Sequence, residues 1–122
     1  MPPSLQQALL HSKIPVESCP TSNVMTLELS KNQSGSLLEG LQKHPQLAKW
    51  LAAKHPVAIG TDDPGVFHTS ATKELVLVQK AFALSKDDIS KIVLESMNYA
   101  FCDTATKTQI KMQIQKRLVG LK

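Results

Sequence analysis

The stretch Pro56-Val57-Ala58-Ile59-Gly60-Thr61-Asp62-Asp63-Pro64 constrains the fold more than any other part of the chain. Prolines bracket it, so the apolar run inside is about five residues long, enough for one strand and too short for a helix. Two adjacent carboxylates close the run. Neighbouring acids repel each other and favour water, so a fold that encloses them must bring a cation or hydrogen-bond donors. With residues 56–60 as a strand, Asp62 and Asp63 stand at its C-terminal end. In open α/β sheets and (β/α)8 barrels, loops converge and ligands bind at that end. Successive side chains there point in different directions, so the two acids are expected to have different tasks. The same D-D-P-G string is also ordinary turn chemistry, and spacing alone leaves both readings open.

The rest of the chain supplies the elements around this strand. Pro3 suits a first helical turn, and Leu5, Ala8 and Leu9 recur at helical spacing, which predicts a helix over 3–12. A second strand is expected at about 15–19, ended by Pro20, with Thr21-Ser22-Asn23 in a loop. Residues 25–41 carry no apolar period around the polar Ser30-Lys31-Asn32-Gln33-Ser34-Gly35-Ser36, and read as a loop or insertion. Leu47, Ala48, Leu51 and Ala52 form a helical stripe, which predicts a helix over 45–54. Its position between the two strands makes a β-α-β unit, whose strands should be parallel and whose crossover right-handed.

Thr69 or Ser70 opens a helix over 70–84. Ser85 with Asp88 three residues on is a capping box for a helix over 86–101. Asp103 or Thr104 starts one over 104–119 that carries Ile110, Ile114, Leu118 and Leu121 on one face. These stripes read as core. The fold class is therefore α/β, with two parallel strands covered by helices.

Composition removes several function classes. Two cysteines, Cys19 and Cys102, share no C-x-x-C spacing, so neither a disulfide framework nor a zinc knuckle is expected. No apolar run approaches the ~20 residues of a membrane span, and Met1-Pro2-Pro3-Ser4 lacks the basic and apolar regions of a secretory leader. The expectation is a cytoplasmic protein with no membrane partner. The net charge of +4 gathers partly in Lys107, Lys111, Lys116, Arg117 and Lys122. Without interleaved aromatics that cluster reads as a solvated helix face, and no nucleic-acid partner is expected.

Two motifs, Cys19-Pro20-Thr21-Ser22-Asn23-Val24 and Thr61-Asp62-Asp63-Pro64-Gly65-Val66-Phe67, resemble in order and spacing the last part of adenosine deaminase family enzymes. The likeness runs from about Ile14 to Leu118. It implies a (β/α)8 barrel that uses zinc to hydrolyse the 6-amino or 6-alkylamino group of a purine nucleoside or nucleotide. On that resemblance residues 1–122 are a partial deaminase domain, its last two β/α units with the C-terminal helices. Asp62 matches the carboxylate that ligates the zinc and orients the attacking hydroxide, a metal and catalytic role. Asp63 matches the residue that hydrogen-bonds the purine ring.

The family's H-x-H pair, its other metal and catalytic histidines and its general acid/base Glu have no counterpart. His11, His44, His55 and His68 are far apart in sequence; His44 and His55 precede prolines and read as turn residues, and His68 as a surface one. A complete barrel needs about 250 residues, and a catalytic zinc takes three protein ligands. The chain is therefore expected to be inactive alone and not to hold zinc. Relatives commonly have a glycine where Met25-Thr26-Leu27-Glu28-Leu29 stands, a local departure from the pattern. The segments Ala53-Lys54-His55-Pro56, Asp63-Pro64-Gly65-Val66-Phe67 and Glu95-Ser96-Met97-Asn98-Tyr99 are similar to the adenosine deaminase-like branch, whose members act on N6-methyl-AMP. The alternative is a non-catalytic truncated isoform or an interaction module that pairs through open strand edges, with another copy or with a partner.

Overall fold

The computed structural model describes residues 1–30 and 36–120. Helix α1 (Pro3–Ser12) starts on a proline at its first position and stops at Lys13, whose φ of 58° is left-handed. Strand β1 (Val16–Ser18) pairs in parallel with β2 (Val57–Ile59), in the register Val16 to Val57, Glu17 to Ala58 and Ser18 to Ile59. Pro56 lacks an N–H but still contributes its carbonyl, which accepts from Val16 N at 3.0 Å. At the other end Gly60 N donates to Ser18 O at 2.9 Å. The prolines thus bracket the strand as the sequence implied.

Between the strands lie α2 (Pro20–Thr26), α3 (Leu37–Gln42) and α4 (Leu47–Ala52). The first two correct the expected loops: Thr21, Ser22 and Asn23 are helical, and the 25–41 segment holds the end of α2 and nearly all of α3. Residues 31–35 of that expected loop lie outside the described residues. The physical reason is length. A helix of six or seven residues repeats its apolar face once at most, so no period is visible. Local signals do mark both starts: Pro20 at the first position of α2, and Ser36 Oγ accepting from Glu39 N at 3.2 Å to cap α3. Gly40 lets α3 press on α2, because a Cβ there would stand 2.6 Å from Val24 Cγ1.

After β2 come α5 (Ala71–Ala81), α6 (Lys86–Ser96), a 3-10 turn (Met97–Tyr99) and α7 (Thr104–Gly120). Ser70 caps α5, accepting from Lys73 N, and Ser85 and Asp88 form the expected capping box of α6. The buried core is Val24, Leu41, Leu47, Trp50, Val57, Val78 and Ala81, where α2, α3, α4 and α5 meet the helix-facing side of the sheet. Both α5 and α6 pack on β2.

The stripes of α6 and α7 are less buried than expected. Ile89, Ile92, Val93, Ile110, Ile114 and Leu118 are half-buried, and neither helix holds a fully buried residue; Leu121 lies outside the described residues. Lys107 Nζ donates to Asn98 O at 3.2 Å and Lys111 Nζ bonds Asn98 Oδ1, so part of the basic cluster ties α7 to the turn before it. No helix among the described residues is long and apolar enough to cross a membrane.

Candidate active site

Because the strands are parallel, their C-terminal ends lie side by side, and the segments leaving them define one region. Val16 and Ser18 face the helices, so Glu17 faces the opposite side. A Cβ on Gly60 would stand 2.7 Å from Glu17 Oε1 and 3.2 Å from Cys19 Sγ, which puts these three residues together on that face. The Glu17 carboxylate and the Cys19 thiol occupy the space that a side chain on residue 60 would take.

Asp62 and Asp63 follow two residues later, both exposed. Asp62 has a left-handed backbone, φ 55°, which costs about 1 kcal/mol for an L-residue and which Asp tolerates better than most. Its Oδ2 accepts from Ser22 Oγ at 2.8 Å. Ser22 is buried in the first turn of α2, so the bond joins the segments that leave the two strands and leaves Oδ1 outside that contact.

Asp63 is placed differently. Its Oδ1 accepts from Val66 N at 3.0 Å and its carbonyl from Phe67 N at 3.1 Å, so it organises the turn through Pro64 and Gly65. The turn-forming and strand-end readings of the D-D-P-G string are therefore both realised, the first in Asp63 and the second in the position of the pair. The two acids have different surroundings, Asp62 held by Ser22 and Asp63 by its own turn.

Cys19, between β1 and α2, has its thiol pKa pushed up, first by burial. The backbone N–H of Asp62 opposes the shift, and the carboxylates of Glu17, Asp62 and Glu74 add to it. The group is thus a neutral thiol near pH 7 and a poor nucleophile.

Sequence reasoning missed Glu74 and the buried roles of two histidines. Glu74 is only 1% exposed; its Oε2 accepts from Thr21 N at 3.0 Å and its Oε1 from Thr69 Oγ1 at 2.5 Å. Burying a carboxylate costs several kcal/mol. Two charge-assisted hydrogen bonds return about 1.5–3 kcal/mol each, so the terms nearly cancel and what Glu74 chiefly supplies is geometry.

His44 Nδ1 accepts from Gln46 N at 3.2 Å and Leu47 N at 3.0 Å, capping α4, while burial holds its pKa below the usual value. The ring proton therefore sits on Nε2, 3.2 Å from the Asn23 amide, and the amide orientation that satisfies both presents oxygen to it. His55 is buried too, its Nε2 donating to Ile14 O at 2.8 Å. Both histidines stand at turns as expected, with side chains that hold the scaffold together. His68 is exposed.

A catalytic zinc takes three protein ligands. Asp62 is a single carboxylate beside the strand ends, and among the described residues no group of three His, Cys, Asp or Glu side chains is placed to hold a metal. The residues present fit one position of such a centre and do not complete it.

The sequence model of adenosine deaminase matches residues 2–117. Among curated relatives, the N6-methyl-AMP deaminase of Bos taurus is 33% identical over 109 residues, covering 89% of this chain and 28% of the relative. The N6-methyl-AMP deaminase of Homo sapiens is 32% identical over 99 residues, or 81% of this chain and 25% of the relative. Among solved structures, the apo N6-methyl-AMP deaminase from Arabidopsis thaliana superposes with a TM-score of 0.81 at 28% identity, over 95% of this chain and 32% of that one. Arabidopsis ADAL complexed with IMP gives 0.81 at 27% identity, over 95% and 31%. The fold is thus an α/β segment of the deaminase (β/α)8 barrel, and the chain spans about a quarter to a third of the length of these relatives.

Proposed function

Since this chain belongs to the adenosine deaminase family, we propose that it is the C-terminal part of a metal-dependent hydrolytic deaminase of purine nucleotides. The substrate class we infer is the 6-amino or 6-methylamino purine ribonucleotide, of which N6-methyl-AMP is the leading member. Water replaces the amine at purine C6, giving IMP and methylamine from N6-methyl-AMP. Relatives named for that reaction and a relative solved with IMP support this reading.

In the complete enzyme Asp62 is the carboxylate ligand of a zinc ion whose other ligands come from outside these 122 residues. Such an ion, when bound, supplies hydroxide near neutral pH. This chain's own part is positional. Ser22 holds Asp62 by Oδ2 and so orients the carboxylate that would hold the metal. Asp63, its Oδ1 engaged by Val66 N, offers Oδ2 to a purine ring nitrogen, a contact that requires a proton on one partner. The observation that carries the reading is the Ser22–Asp62 bond, which sets a carboxylate beside the C-terminal ends of two adjacent parallel strands.

Elemental analysis tests it. The purified 122-residue chain should contain far less than one zinc per molecule and be inactive. The protein made from the gene extended upstream should hold about one zinc and release methylamine from N6-methyl-AMP, and Asp62→Ala should abolish both. Unchanged zinc content in Asp62→Ala sinks the assignment.

A further inference from the structure

The geometry points to Glu74 as the positioning residue of the Asp62 site, acting through a closed hydrogen-bonded circuit and touching none of the reacting groups. The inference deepens the proposed function and rests on its reading of Asp62.

Starting from α5, Glu74 Oε2 accepts from the backbone N–H of Thr21 in the first turn of α2. The next residue, Ser22, donates to Asp62 Oδ2. From Asp62 the chain runs through a turn closed by two bonds, Val66 N to Asp63 Oδ1 and Thr69 N to Pro64 O at 3.1 Å. At the end of that turn Thr69 Oγ1 donates to Glu74 Oε1 and completes the ring. One buried carboxylate thereby fixes both segments that hold Asp62: the helix start that carries its partner Ser22, and the turn that carries Asp62 itself.

Helix capping alone does not account for this arrangement. The first N–H groups of a helix lack partners within it, and a single acceptor on Thr21 N meets that need. The second oxygen of Glu74 plays no part in capping α2; it is spent on Thr69, at the end of the turn after β2. Nor does Glu74 itself stand at the open face, since it is almost fully buried while Asp62 is exposed. Its hold on the position of Asp62 runs through the circuit. Hydrogen-bonded groups behind a metal ligand set its orientation and its affinity for the metal.

Thr69→Val keeps the α2 cap and opens the circuit, and, lying at a half-buried position, it serves even if Glu74→Gln fails to fold. In NMR spectra of the full chain, both variants should move the Ser22 and Asp62 amide signals and the Asp62 carboxyl carbon, while α7 signals stay in place. In the complete deaminase each should weaken zinc binding by about 10-fold to 100-fold and lower kcat, with the KM for nucleotide little changed. Asp62 signals that stay put in Thr69→Val overturn the inference, as do wild-type zinc affinity and kcat in both variants. A complete wild-type protein that takes up no zinc defeats the proposed function instead, and the NMR comparison still decides whether the circuit positions Asp62.

Discussion

Ser22 and Asp62 are forty residues apart in sequence and 2.8 Å apart in space, hydroxyl to carboxylate. The contact converts two motifs that are separate in the chain into one site. Ser22→Ala removes the donor and leaves Asp62, an exposed residue, free to turn toward water. A charge-assisted bond at a partly exposed site contributes about 1 kcal/mol, so thermal unfolding should shift by only a few degrees. Zinc affinity of the complete protein should fall more, by about 10-fold, because the ligand loses its orientation. Competition with a chelator measures it; an affinity equal to wild type would show that Ser22 does not hold the ligand.

Gly40 and Gly60 make opposite predictions for the same change. At Gly40 a methyl would meet Val24 Cγ1 at 2.6 Å, and Val24 is both buried and stiff at its branched Cβ. Overpacking costs about 1–3 kcal/mol, while replacing glycine by alanine inside a helix returns up to about 1 kcal/mol. Gly40→Ala should therefore be destabilising despite better helix propensity. At Gly60 the nearest atom is the end of the flexible Glu17 side chain, which can swing away, so Gly60→Ala should cost less stability. Chemical denaturation of the two variants decides the ordering, and a Gly60→Ala midpoint below that of Gly40→Ala would reverse it.

His44 gives a pH dependence with a definite sign. Burial depresses its pKa below the 6.5 of an ordinary histidine, so the folded chain binds the proton less readily than the unfolded chain. The stability from this group is fully present above about pH 6.5 and is lost as pH falls through the folded pKa. The expected curve is flat from neutral pH upward and declines on the acid side. His44→Asn keeps an oxygen to cap α4 and removes the titration, so its curve should decline less between pH 7 and 5. Equal declines in the two proteins would assign the effect to other groups.

How far the sequence could reveal the site follows from what each residue's signal depends on. The strand that leads to Asp62 and Asp63 was legible because prolines bracket an apolar run, and both cues are local. The short helices α2 and α3 were not, since neither is long enough to show a period. Glu74 gave no warning, because an acid in a helix's first turn is an ordinary complement to the helix dipole. Its burial comes from α2 packing over it, a tertiary fact. His44 and His55 were legible as turns from the prolines after them, but not as buried hydrogen-bonding groups, for the same reason.

Asp63→Asn separates the two acids most cleanly. The asparagine oxygen can still accept from Val66 N, so the turn and the position of Asp62 should survive. What changes is the second carboxylate oxygen, which becomes an NH2 group that donates where Asp63 would share or accept a proton with the purine. In the complete protein zinc content should stay at the wild-type level while turnover of N6-methyl-AMP falls by about 10²-fold or more. Asp62→Ala should lose both zinc and turnover. Equal metal loss in the two variants would mean that the acids share the ligand role, and unchanged turnover in Asp63→Asn would remove Asp63 from the substrate site.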